Sequence, residues 1–142
     1  MNAKVMVPLR RKAREMAMQV LYQCETTGQD VDLALALTMD NFEGNKKAYA
    51  YARELLLGIG ERREQIDELI REQSAHWRLE RMALVDLNIL RIGVYELLGC
   101  SDVPASVVIN EALEVAARYS AEDAASFING ILDAVKNKLG RK

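Results

Sequence analysis

Apolar residues recur along this chain at three- and four-residue steps, the spacing that gives a helix of about 3.6 residues per turn a single oily face. The pattern predicts a first helix from about Pro8 to near Gly28, with Ala13, Met16, Ala17, Val20, Leu21 and Cys24 on its core face. Pro8 suits the first turn, where its missing N–H would have no partner in any case. A shorter helix follows Asp30 and carries Leu33, Leu35, Ala36 and Leu37. "NFEGN" at 41–45 then interrupts the pattern before a third helix through Tyr49, Ala52, Leu55 and Leu56. "GIG" at 58–60 is expected to separate that helix from a charged one, Glu61 to about Ser74, whose Ile66, Leu69 and Ile70 form a narrow apolar strip.

The second half changes texture. In "RMALVDLNILRIGVYELL", 81–98, apolar residues occupy every side of the helix, as expected when other helices surround it. "SDVP" at 101–104 offers capping side chains and a proline, opening a sixth helix to about Tyr119. "SAED" at 120–123 has the arrangement of a capping box, Ser120 as N-cap and Asp123 accepting from its backbone, ahead of a seventh helix to about Leu139. The expectation is an all-α, compact bundle of about seven helices in two subbundles, about 8–75 and 80–140. "FING" at 127–130 assigns Asn129 and Gly130 to helix packing.

Composition supports one folded domain. The chain has 142 residues, 50% hydrophobic and 28% charged, a balance that can fill a core. It holds no run of 18 apolar residues and no apolar secretory segment near Met1, so no membrane role and a cytoplasmic location are expected. Cys24 and Cys100 are too few for a disulfide framework and read as reduced packing residues.

Charge adds a local signal that the net value of -2 conceals. Lys4, Arg10, Arg11, Lys12 and Arg14 precede the first acid, and Lys136, Lys138, Arg141 and Lys142 follow the last, leaving an acidic middle. A cationic cluster on an acidic body points to a local polyanion site rather than a general nucleic-acid coat. With Arg10 at zero on a helical wheel, Arg14 lies near 40°, Arg11 near 100° and Tyr22 near 120°, whereas the core stripe centres near 300°. These four residues form one sector beside the core face. Arginines grip phosphates with paired donors, and an aromatic ring stacks any base for about 1–3 kcal/mol. A solvated helix entrance, with Tyr22 packed on a neighbouring helix, is the competing structural reading. Cations at a helix N-terminus oppose the macrodipole at a few tenths of a kcal/mol each, so local stability does not explain them.

Catalytic chemistry has little support. One histidine, His76, and two distant cysteines make neither a zinc set nor a nucleophile pair, and no glycine-rich phosphate loop occurs. No cofactor or metal is expected. Asp86 and Glu96 are the acidic residues set in apolar surroundings, and Asp86 reads as a groove or interface residue rather than a catalytic acid.

"RRKAREMAMQVLYQ" at 10–23, "LVDLNILRIGVYEL" at 84–97, "DVPASVVINEALEVA" at 102–116 and "SAEDAASFINGILDAV" at 120–135 together resemble the bacterial transcription antitermination factor family NusB. The resemblance runs in order over nearly the whole chain, weakest at 45–75. It implies an all-helical protein that binds single-stranded box A RNA together with the small-subunit ribosomal protein NusE, and so helps the RNA polymerase antitermination complex read through terminators, notably in ribosomal RNA synthesis. Motif by motif, Arg10, Arg11, Arg14 and Tyr22 carry over as RNA-binding, with Lys12 where an arginine sometimes stands. Asp123 and Phe127, sharing a helix face at i and i+4, join them, although Phe127 also borders the core stripe. Asp86 carries over to the NusE surface. Some relatives self-associate and cover the RNA surface, so a homodimer is a possible state. Two other readings stand beside this one. They are a helical protein–protein module without RNA affinity, and a stand-alone relative of the RNA-binding domain of RNA cytosine methyltransferases.

Overall fold

A computed structural model of the chain describes residues 3–40, 46–74 and 78–142, with side chains from residue 8 onward except residue 40. All regular structure among them is helical: α1 (Ala3–Thr27), α2 (Val31–Asp40), α3 (Lys46–Glu61), α4 (Arg63–Gln73), a 3-10 turn (Leu79–Arg81), α5 (Leu84–Gly99), α6 (Ala105–Tyr119) and α7 (Ala124–Lys138). The expected break at "NFEGN" and the lone His76 lie outside the described residues.

The chain divides into two units, Met1–Leu57 and Gly58–Lys142. The division expected near 74–80 therefore falls earlier, inside α3. The reason is α4, whose strip of Ile66, Leu69 and Ile70 is buried and which packs on α5 and α7 of the second unit. A charged helix with a three-residue apolar strip joins whichever neighbours cover that strip, and its sequence does not say which.

In the first unit α1 packs against α2. α1 starts at Ala3, so Pro8 lies inside the helix instead of in its first turn. Its far end is closed by Gly28 at φ +76°, a left-handed position suited to glycine, whose N–H donates to the Cys24 carbonyl at 3.0 Å. Asp30 caps α2: its Oδ2 accepts from the backbone N–H of Asp32 at 3.1 Å. Thr38 Oγ1 donates to Gln23 Oε1 at 3.2 Å and ties the two helices together. Burial pushes the Cys24 thiol pKa up, with the carboxylates of Asp30 and Glu25 adding to the effect.

In the second unit α5 packs against α4, α6 and α7. Every residue from Leu87 to Val94 is buried, as the all-round apolar pattern predicted. Two glycines allow close helix approach. A methyl group on Gly58 would overlap the Tyr95 ring, and one on Gly93 would come within 2.8 Å of Leu132. Gly58 accordingly sits within α3, and "GIG" does not end that helix, which runs to Glu61. A guanidinium is built into the α4–α5 contact. Arg91 Nε and Nη2 donate to Asp67 Oδ1 and Oδ2 at 2.9 and 3.1 Å, and Nη1 donates to Asn88 Oδ1 at 2.9 Å. Arg141 closes the end of α5 from outside the helix, donating to the carbonyls of Leu97 and Val103.

The α6–α7 junction departs from expectation. Ser120 ends α6 instead of capping α7, its Oγ is buried without a hydrogen bond among the described residues, and Asp123 makes no side-chain cap. Residues 121–123 form a turn, so the helix opens at Ala124, beyond the reach of Ser120. Asn129 and Gly130 are exposed, and a side chain on Gly130 would meet nothing, so the packing role expected of them belongs to Gly93 instead.

Candidate nucleic-acid interface

The basic segment of α1 lies in two environments. Arg10, Arg11 and Lys12 are half-buried, whereas Arg14 is only 3% exposed. Ala13 through Met18 are all buried, so the covered face of α1 is wider than its apolar stripe and takes in Arg14 and Glu15. A guanidinium keeps its charge at any ordinary pH, so a buried one must be held by partners, and an aromatic face supplies part of that here. The Arg14 guanidinium carbon lies 6.0 Å from the Tyr51 ring centroid, and that of Arg10 lies over the same ring at 4.7 Å. Arg14, which the wheel placed in the sector beside the core face, is therefore enclosed, unlike Arg10 and Arg11. Tyr22 is 42% exposed, which places it on the surface and not in the core.

The second unit holds a separate set. The start of α5 and the first turn of α7 border a cleft of about 260 Å³. Asp86 comes from α5, Asp123 from the turn before α7, Phe127 from α7, and Arg81 with Met82 from the turn before α5. Asp123 is exposed, while Asp86 and Phe127 are half-buried. The acid expected to meet a protein partner and the two residues Asp123 and Phe127 expected to meet RNA thus share one cleft. Phe127 contributes to its wall, so its ring is not wholly core. Such a cleft combines an apolar wall with hydrogen-bond acceptors and a guanidinium donor, the elements that hold a planar, amino-bearing group.

Tyr51, Arg81 and Met82 were not picked out from the sequence. Tyr51 stands in the stretch where recognisable pattern is weakest, and only its ring's place beside Arg10 and Arg14 in the folded chain reveals it. Arg81 and Met82 were expected at the opening of the fifth helix, but α5 starts only at Leu84 and leaves them in the turn before it. Among the described residues no group of three or more His, Cys, Asp or Glu is placed to hold a metal, and no helix is long and apolar enough to cross a membrane.

Comparison with known proteins gives this geometry a setting. The NusB family model matches residues 11–137, nearly the whole chain. The chain belongs to the NusB family. Its relatives include the transcription antitermination protein NusB of Geobacter sp. (strain M21), 46% identical over 141 residues, which cover 94% of this chain and 97% of that protein. The NusB of Sorangium cellulosum is 41% identical over 132 residues, covering 93% and 94% of the two chains. Among solved structures, T. maritima NusB matches with a TM-score of 0.83 at 38% identity, covering 91% of each chain. A crystal structure of the antitermination factors NusB and NusE in complex with double-stranded RNA matches with a TM-score of 0.83 at 29% identity, covering 92% of this chain and 98% of that one.

Proposed function

We propose that this chain is a non-catalytic, cytoplasmic transcription antitermination factor that binds box A RNA together with the ribosomal protein NusE and promotes read-through by RNA polymerase, notably in ribosomal RNA operons. The observation that carries this reading is the match over 92% of the chain to a NusB solved with NusE and double-stranded RNA. The physical features support it. Arg10 and Arg11 stand half-exposed on α1 with the open ring of Tyr22 on the same helix, a combination of phosphate donors and a stacking face. Asp123 and Phe127 offer an acceptor and a ring at the α7 cleft, where base amino groups would be read. Asp86 presents negative charge to the basic ribosomal protein from the α5 side of that cleft. Arg14, being buried, serves this surface by supporting α1 more than by touching phosphate.

Filter binding tests the reading with a labelled single-stranded box A RNA, a scrambled strand and a duplex of the same sequence, each with and without NusE. The box A strand should bind weakly to the chain alone and markedly more tightly with NusE. Retention of NusE with no RNA binding in any arm would reduce the protein to a helical protein–protein module. Failure to bind either would remove the functional assignment.

A further inference from the structure

The end of α5 is gripped by a side chain from outside its own helix. Helix α7 closes on Gly140 at φ +68°, whose N–H donates to the Asn137 carbonyl at 3.1 Å, and the Arg141 N–H reaches back to the Lys136 carbonyl at 3.0 Å. Arg141 then spans to α5. Its Nη1 donates to the carbonyl of Leu97 and, at 3.3 Å, to that of Glu96, while Nη2 donates to the carbonyl of Val103 in the turn before α6. We infer that the end of α5 and the 100–103 turn form a guanidinium site, and that Arg141, which fills it, is a releasable strap over the α5–α6 connection.

The acceptors need such an occupant. Leu97 lies in the last turn of α5, where a carbonyl has no partner within its helix, and Val103 precedes the start of α6. Both residues are buried, and among the described residues Arg141 is the only hydrogen-bond donor to either carbonyl. Glu96 differs, since its carbonyl also accepts from the Cys100 N–H at 3.1 Å. The negative end of the α5 dipole favours a cation at this place. A planar guanidinium serves separate carbonyls from two nitrogens at once, which a single ammonium on a flexible stem does less well.

Release of the strap leaves the helices intact. The Val103 N–H donates to the Cys100 carbonyl at 3.0 Å, and the N–H groups of Val107 and Val108 donate to Pro104, so short-range bonds alone then hold the connection. Gly99, Ser101 and Asp102 are exposed, which gives water access to it. Losing Arg141 therefore loosens this connection locally, well short of global unfolding.

Amide hydrogen exchange on the full chain tests the strap, and its outcome is independent of RNA binding. Arg141→Ala should speed exchange of the Cys100 and Val103 amides about tenfold, the scale of one hydrogen bond to a charged group, while amides of α1 and α2 keep their rates. Arg141→Lys should restore only part of that protection. Methylguanidinium at about 50 mM, far below the molar range in which guanidinium unfolds proteins, should slow exchange again in Arg141→Ala. Methylammonium at equal ionic strength should not, and neither ion should slow exchange in the unmutated chain, whose site is full. Should Arg141→Ala fail to fold by circular dichroism, Arg141→Lys takes its place, with a smaller rise and the same response to methylguanidinium. Unchanged exchange in Arg141→Ala, full protection in Arg141→Lys, no restoration by methylguanidinium, equal restoration by methylammonium, or a rise spread over both units would each overturn the inference.

Discussion

Replacing Asp67 by alanine removes a counter-charge of Arg91, a guanidinium enclosed by the fold. The Arg91 side chain is 6% exposed and that of Asp67 17%, with a nitrogen–oxygen distance of 2.9 Å. Two parallel charge-assisted bonds join them, and Asn88 Oδ1 accepts a third from Arg91 at 2.9 Å. Removing one partner of a buried pair typically costs about 3–5 kcal/mol, because the remaining charge is left uncompensated. Asn88 still satisfies one donor, and the Asp67 site is partly wet, so the lower end applies. A loss of about 3 kcal/mol corresponds to a fall in Tm of roughly 6–12 °C for a chain of this size. Urea unfolding followed by circular dichroism at 222 nm measures the change. The double variant Asp67→Leu with Arg91→Met removes both charges and should recover most of the loss, since apolar side chains can occupy the site of a buried pair. An Asp67→Ala cost below about 1 kcal/mol, or a double variant no more stable than the single one, would refute the idea that this pair locks α4 onto α5.

Arg11→Ala should weaken box A binding and lower its salt slope by about 0.7, whereas Arg14→Ala should mainly lower Tm, because its guanidinium is enclosed; the reverse ranking in paired binding and melting measurements would count against the arrangement of α1. Asp86→Lys should weaken the heterodimer with NusE most strongly at low salt, as read by calorimetric titration, and because Asp86 shares a cleft with Asp123 and Phe127 it should also alter RNA affinity at saturating NusE. Phe127→Leu should cost RNA affinity more than stability if the proposed stacking holds, since the ring lines that cleft and leucine offers no stacking face; a large drop in Tm with intact binding would return the ring to the core. Gly58→Ala should destabilise by about 1–3 kcal/mol in urea unfolding because the added methyl overlaps the Tyr95 ring, and Tyr95→Ala should relieve most of that cost.

What the sequence determined by itself is what depends on near neighbours along the chain. Helix periodicity repeats within a few residues, so all seven helices and the all-round burial of α5 were legible, as was the narrow strip of α4. The Gly28 stop was legible too, since a left-handed position after an apolar stripe is a local requirement. Tertiary structure decided the rest. "GIG" carries two potential helix breakers, yet α3 continues through it because Gly58 is needed where the Tyr95 ring approaches. Gly130 looked like a packing residue by its company, but no neighbour comes to it, whereas Gly93 faces Leu132. The helical wheel put Arg10 and Arg14 in one sector, and only the tertiary structure, which brings Tyr51 to both, left Arg10 half-buried and Arg14 enclosed. The cleft of Asp86, Asp123 and Phe127 likewise exists only where α5 and α7 meet. A wheel angle fixes the direction in which a side chain leaves its own helix, but exposure and partners depend on which distant segment fills the space it enters, and that is set by the packing of the whole core.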